Sequence, residues 1–182
     1  TTFEPYSADV ERQARAAQAG LVFNRARGSN LMAPVVGALV CWLLWNTVEH
    51  RLLIGWFVLL TMVAAWREWV HQQFVHDAGP SAARWGERYD FALFGAGFVY
   101  GLLGTVLLPR HEPATAAILL AALVAIASVA MVVLSTKLRS TLAFALPVLL
   151  PTIVVELAQG NRLSVFAGLG MLVFLSLIAA EG

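Results

Sequence analysis

Six apolar runs occupy most of this sequence, and each is long enough to cross a lipid bilayer as an α-helix. A helix rises 1.5 Å per residue, so crossing a hydrocarbon core of roughly 30 Å takes about 17–25 residues. The runs do not alternate between polar and apolar residues, as the strands of a membrane barrel do. The sequence therefore predicts an all-α, polytopic membrane bundle of six transmembrane helices. The predicted spans are 31–48, 52–70, 91–108, 114–136, 142–158 and 163–180.

The composition agrees with a location in lipid. Of the 182 residues, 59% are hydrophobic and 13% are charged, whereas a soluble domain averages about 45–50% and about 25%. The formal net charge is +1, so no general basic field favours nucleic acid as a partner. The one cysteine, Cys41, lies in the first run, where we expect a small buried apolar side chain.

The distribution of cations predicts the orientation of the bundle. With six spans, the termini and the even-numbered connections share one side, and Lys and Arg favour the cytoplasmic side. The opposite side would hold Arg51, Arg110 and Arg162, which leaves nine of the 12 cations on the side of the termini. Both termini are therefore expected in the cytoplasm. Tryptophans near the proposed span ends are expected to anchor the helices at the interfaces: Trp42, Trp45, Trp56, Trp66, Trp69 and Trp85.

Residues 1–30 are polar and predict a cytoplasmic amphipathic helix ahead of the bundle, which occupies 31–182. Ser7 can cap a helix over 7–24. Its apolar stripe comprises Val10, Ala14, Ala17 and Leu21. The stripe either lies on the inner membrane surface, helped by nearby arginines, or pairs with another helix.

The fifth run contains the strongest candidates for a ligand site. Pro147 and Pro151 lie one helical turn apart, and each removes a backbone donor, so we expect a kink. Glu156 follows near the outer end of the run. An ionisable residue inside a span marks a functional site by default, unless it reaches the outer headgroups. The predicted pocket lies in the outer half of the bundle and also includes Trp45, Asn46 and Tyr100.

Three glycines give the third run a face of small residues. Gly97, Gly101 and Gly104 are spaced so that they share one side of a helix. Such a face lets the backbone of a neighbouring helix come close. The fourth run is rich in alanine, and we expect it to be the partner.

No motif in the sequence carries a recognised catalytic mechanism. It has no Gly-rich phosphate loop, no zinc-binding pair of histidines on one helix and no Gly-flanked serine nucleophile. We therefore expect no catalytic residue, no metal and no cofactor in this chain. His50 with Glu49, and His111 with Glu112, fall on the same predicted side, but such pairs are ordinary at a membrane surface.

Two stretches resemble parts of a known class of bacterial membrane proteins. Residues 94–109, FGAGFVYGLLGTVLLP, resemble the third span of six-helix sensor modules, and residues 145–161, ALPVLLPTIVVELAQGN, resemble their fifth span. These modules precede diguanylate cyclase (GGDEF) or histidine kinase output domains. The resemblance extends from about Arg12 onward. The sequence departs from it at Tyr100, where tryptophan is frequent, and at Glu156, near which a basic residue is frequent.

The resemblance implies a sensor in signal transduction, including two-component systems, at the bacterial inner (cytoplasmic) membrane. A small lipophilic molecule or a membrane property would be the signal, and a homodimer would pass it to an output domain beyond the C-terminus. The parent protein would be a diguanylate cyclase or a histidine kinase. Two alternatives are a small transporter or channel, and an enzyme that acts on lipids. The lipid enzyme would use His71, His76, Asp77 and Arg84.

Overall fold

The described part of the chain folds into helices and contains no strand, which confirms the predicted all-α bundle. A computed structural model describes residues 32–76, 82–134 and 138–180. The predicted N-terminal amphipathic helix lies outside these residues. In chain order the helices are α1 (Met32–Leu44), α2 (His50–His76), α3 (Ala82–Thr105), α4 (Pro113–Leu134), α5 (Leu138–Gln159) and α6 (Arg162–Ala180).

Within the described residues, four helices are long and apolar enough to cross a membrane. They are α2 over His50–Gln73 together with α4, α5 and α6. Helix α1 is apolar but shorter, about 20 Å at 1.5 Å per residue. Helix α3 is not among the four and carries Arg88 and Asp90 before its apolar part. Large apolar side chains such as Phe166 and Val132 cover the outer surface. The chain is a helical membrane protein.

Helix α5 lies at the centre of the bundle. It packs against α3, α4 and α6, and α3 is its principal neighbour. Half of its apolar window is buried (50%), against 22% for α4 and 28% for α6. Helix α2 covers α3, and α1 covers α2 through Gly37, which lies against Leu60 and Phe57.

The helix ends differ from the ends of the apolar runs. Helix α2 continues to His76 instead of ending at residue 70, and α3 begins at Ala82 instead of residue 91, so much of the predicted polar connection is helical. A helix satisfies its own backbone, so it continues past the apolar run wherever headgroups or water can solvate its side chains. Conversely, α1 ends at Leu44 instead of residue 48, and the Thr47 amide donates to the Leu44 carbonyl oxygen at 3.0 Å in the following turn.

Trp56 does not belong to an interfacial belt. It is buried, and its indole Nε1–H donates to the carbonyl oxygen of Val99 at 2.8 Å, which joins α2 to α3. Trp42, Trp45, Trp66 and Trp69 are exposed, as expected for residues that face lipid or headgroups. The position of Trp56 near a run end therefore misled the sequence prediction, because its indole N–H found a partner on the neighbouring helix.

The α5–α6 turn has local signals that fold it tightly. Gly160 has a φ of 69°, in the left-handed region that favours glycine after a helix. Asn161 then caps α6, since its Oδ1 accepts a hydrogen bond from the Ser164 amide at 2.8 Å. The two helices therefore run antiparallel, and Glu156 lies beside the start of α6.

Candidate functional site

The glycine face of α3 packs against α5, and the expectation that α4 would be its partner is wrong. A Cβ added at Gly97 would overlap the Phe144 carbonyl oxygen, and one at Gly104 would overlap the side chain of Thr152. At Gly101 the overlap would be with the carbonyl oxygen of Pro147. Glycine is thus required at this interface by the proximity of the α5 backbone.

The two prolines of α5 explain why that helix suits a glycine face. Pro147 and Pro151 both lie within the helix, and Pro147 is buried. In a helix the carbonyl of residue 147 would accept from the amide of residue 151, but proline has no N–H. The freed Pro147 oxygen lies where a Cβ on Gly101 would be, so the glycine Cα–H can point toward it and replace part of the lost bond.

Glu156 is buried between α5 and α6. Its side chain is 3% exposed, and a Cβ at Gly168 of α6 would lie 3.4 Å from the Glu156 Cβ. Gln159 Nε2 donates to Glu156 Oε1 at 3.1 Å, and Gln159 Oε1 accepts from Ser164 Oγ at 3.0 Å. The Glu156 carboxyl group therefore belongs to a polar cluster at the α5–α6 turn and is covered by α6.

The remaining residues of the predicted outer pocket lie in different places. Asn46 is exposed in the turn after α1. Trp45 is exposed beside His50, with ring centroids 4.4 Å apart, and lines a groove of about 420 Å³ between α1 and α2 that also contains Cys41. Tyr100 is buried against Phe144 of α5, with ring centroids 6.1 Å apart. The predicted residues are thus distributed over a turn, a groove and the core.

Tyr100 lines a larger cavity of about 470 Å³ to which five helices contribute. Most of its wall is apolar and comes from α4, between Ala125 and Leu134, and from the start of α1. One charged residue, Arg67 of α2, lines it as well. A concave, mostly apolar space with few polar groups is the usual form of a small-molecule site.

Arg67 is the unusual residue of this cavity. It is 6% exposed, and its Nε has no hydrogen-bond partner within the described residues. The adjacent Glu68 accepts a hydrogen bond from Gln72 Nε2 at 3.3 Å along the same helix. A buried cation is costly in a low-dielectric setting, so Arg67 is a candidate functional residue.

Sequence reasoning did not select Arg67 as a site residue. The available signal was a cation in the last turn of the second apolar run, which is rare inside a span and marks a functional position by default. The charged neighbour Glu68 hid that signal, because the pair suggested the end of the span at the headgroups.

A second polar cluster joins α3 and α5 at the end of the bundle where α2 finishes and α3 begins. Ser140 Oγ donates to Asp90 Oδ1 at 2.6 Å, and Arg139 Nε lies 3.7 Å from Asp90 Oδ2. Because the arginine side chain is largely exposed, this is a surface ion pair and contributes little to stability.

Within the ranges that the structure covers, no three His, Cys, Asp or Glu side chains approach closely enough to hold a metal ion. Comparison with protein-family models, curated proteins and solved structures finds no match to this chain. The resemblance to bacterial sensor modules therefore stays a prediction, and the cavity is the strongest guide to function.

Proposed function

We propose that the chain is a membrane-embedded receptor module whose signal binds in the cavity that contains Arg67. The cavity itself is the observation that supports this proposal, because five helices line it. A ligand there would contact α1 and α4 as well as α2, α3 and α5, so its binding would change how these helices pack. A ligand shifts a conformational equilibrium only through such differential contacts.

The proposed route from the cavity leads through α5 to α6. Phe144 of α5 lines the cavity, and α5 packs along α6, where a Cβ at Gly168 would meet the Leu157 side chain at 3.0 Å. In this proposal all six helices cross the bacterial inner membrane, both termini are cytoplasmic, and α6 passes the change to a dimeric GGDEF or histidine kinase domain beyond residue 182.

The positions of buried polar residues favour a receptor over a transporter or channel. Within the described ranges, Arg67 and His71 lie toward the end where α2 finishes, and Glu156 and Ser164 lie at the opposite end. Between them, residues such as Leu103, Val148 and Leu149 are fully buried and apolar, and Thr152 donates to the Val148 carbonyl oxygen of its own helix at 3.2 Å. A transporter needs a polar site accessible from both sides, and the core formed by the described residues offers no such path.

The test joins the full chain to a diguanylate cyclase domain and measures cyclic di-GMP with a reporter in bacterial cells. Ala130→Phe fills the cavity from α4, whereas Ala121→Phe places the same ring on an exposed position of the same helix. We expect Ala130→Phe to change the output several-fold and Ala121→Phe to match the unmodified chain. Equal output from all three proteins, or solute flux through the purified chain in vesicles, would overturn the proposal.

A further inference from the structure

The cavity combines a long apolar wall with a cation toward one end. The wall formed by α4 extends from Ala125 to Leu134, which is about 14 Å along a helix that rises 1.5 Å per residue. Arg67 lies nearer the end where α2 finishes, since its neighbour Trp66 contacts Phe91 near the start of the apolar part of α3, with ring centroids 5.9 Å apart. Tyr100 of α3 also lines the cavity, within electrostatic reach of Arg67.

Arg67 supplies the chemistry that selects a ligand. Arg67 lines the cavity, its Nε lacks a partner within the described residues, and the residue is 6% exposed. Guanidinium groups bind carboxylates and phosphates through paired, charge-assisted hydrogen bonds. An anionic group would therefore complement the one cation that lines this mostly apolar cavity.

The size and opening of the cavity limit what can carry that anionic group. Its volume of about 470 Å³ is toward the lower end of the range for small-molecule pockets, roughly 300–1,000 Å³, so it suits one chain better than a two-chain lipid. Met32 of α1 and Val129 of α4 both line it and are 58% and 59% exposed. The opening between these helices therefore faces the surface that lipid covers.

We infer that the cavity binds a single-chain amphiphile with a carboxylate head group, such as a medium-chain fatty acid, that enters from the bilayer between α1 and α4. The carboxylate pairs with Arg67, and the chain lies along the apolar wall of α4. This inference rests on the proposed function, for which it names the chemical class of the signal. The anionic head could also belong to a phospholipid, so the experiment includes a phospholipid arm.

The test measures equilibrium binding of radiolabelled dodecanoate to the full chain in phosphatidylcholine nanodiscs, with dodecanol as a competitor of equal chain length and no charge. Arg67→Gln is expected to weaken dodecanoate binding by about 10- to 100-fold, the range of a charge-assisted hydrogen bond. Arg110→Gln, a matched change at an exposed arginine in the α3–α4 turn, is expected to have no effect. Ala130→Phe is expected to abolish binding, and Ala121→Phe to preserve it.

Several results would overturn the inference. They are unchanged binding to Arg67→Gln, unchanged binding to Ala130→Phe, and displacement by dodecanol as effective as that by unlabelled dodecanoate. Phosphatidylglycerol provides the lipid arm: if adding it to the discs reduces dodecanoate binding more than tenfold, the cavity binds a bilayer headgroup instead. If Arg67→Gln fails to fold, Arg67→Lys takes its place, because lysine keeps the positive charge. Arg67→Lys is expected to bind dodecanoate more tightly than Ala130→Phe does.

Binding and signalling can fail separately. If dodecanoate binds in an Arg67-dependent manner but Ala130→Phe leaves the cyclic di-GMP output unchanged, the ligand site stands and the receptor role falls. If Ala130→Phe changes the output but dodecanoate does not bind, the receptor role stands and the carboxylate assignment falls.

Discussion

Replacing Gly101 by alanine tests a close contact between the backbones of α3 and α5. An added Cβ would overlap the Pro147 carbonyl oxygen and would lie 3.4 Å from the Pro147 carbonyl carbon and 3.5 Å from the Val148 oxygen. All three atoms belong to the backbone of α5, so none can rotate away as the tip of a side chain can. The two helices must separate locally to accommodate the methyl group.

The magnitude is the sum of three contributions, of which two destabilise the variant and one stabilises it. Overpacking costs about 1–3 kcal/mol, and we expect the upper part of that range because the obstructing atoms are backbone. Loss of a Cα–H···O contact adds roughly 0.5–1 kcal/mol. Alanine recovers about 1 kcal/mol through its higher helix propensity. The net expectation is a decrease of about 2 kcal/mol in the free energy of unfolding.

Gly95 of the same helix provides the matched control, because a Cβ there would meet nothing within 4 Å. Gly95→Ala therefore carries the propensity gain without the overlap, and its stability should equal or exceed that of the unmodified chain. Unfolding of both variants in mixed neutral and anionic detergent micelles, followed by circular dichroism, compares them directly. A Gly101→Ala protein as stable as Gly95→Ala would refute the close α3–α5 contact.

Three further substitutions test other parts of the fold by the same unfolding assay. Trp56→Phe removes the indole donor to the Val99 carbonyl oxygen of α3 and should lower the free energy of unfolding by about 1 kcal/mol. Trp69→Phe, at an exposed position, should lower it little. Equal effects of the two changes would contradict the hydrogen bond between Trp56 and Val99. Gly160→Ala places a Cβ on a residue with a φ of 69° and should lower the free energy of unfolding by about 1–2 kcal/mol. Gly170→Ala is the control, because the space around that glycine is open. Equal stability of the two variants would exclude strain at residue 160. Ser140→Ala removes the 2.6 Å hydrogen bond to a half-buried α3 carboxylate and should cost about 1 kcal/mol; an unchanged unfolding midpoint would argue against this link.

The helical class was predictable because long apolar runs leave few alternatives in lipid. Helix ends were less predictable, because residues 71–76 and 82–90 are polar yet helical, and hydropathy reports solvation rather than backbone hydrogen bonding. The turn after α1 was missed for the converse reason, since apolar residues such as Val48 follow the end of the helix.

The candidate site was only partly predictable. The spacing of Gly97, Gly101 and Gly104 indicates a packing face. Which helix packs on that face is a relation between two helices, because it involves the Pro147 carbonyl of α5, whose helical partner Pro151 has no N–H. Arg67 is visible in the sequence as a cation in an apolar run. The cavity around it depends on how five helices, α1 to α5, are arranged around one another.

The predicted topology is tested most directly by finding on which side of the membrane each helix end lies. In a Cys41→Ser background, Arg110→Cys and Asn161→Cys place single thiols in the exposed turns after α3 and α5, and Arg139→Cys places one near the start of α5. A membrane-impermeant maleimide applied to spheroplasts should label positions 110 and 161, and should label position 139 only after the membrane is disrupted. Labelling of positions 110 and 139 alike in intact spheroplasts would contradict a bundle whose helices cross the bilayer one after another.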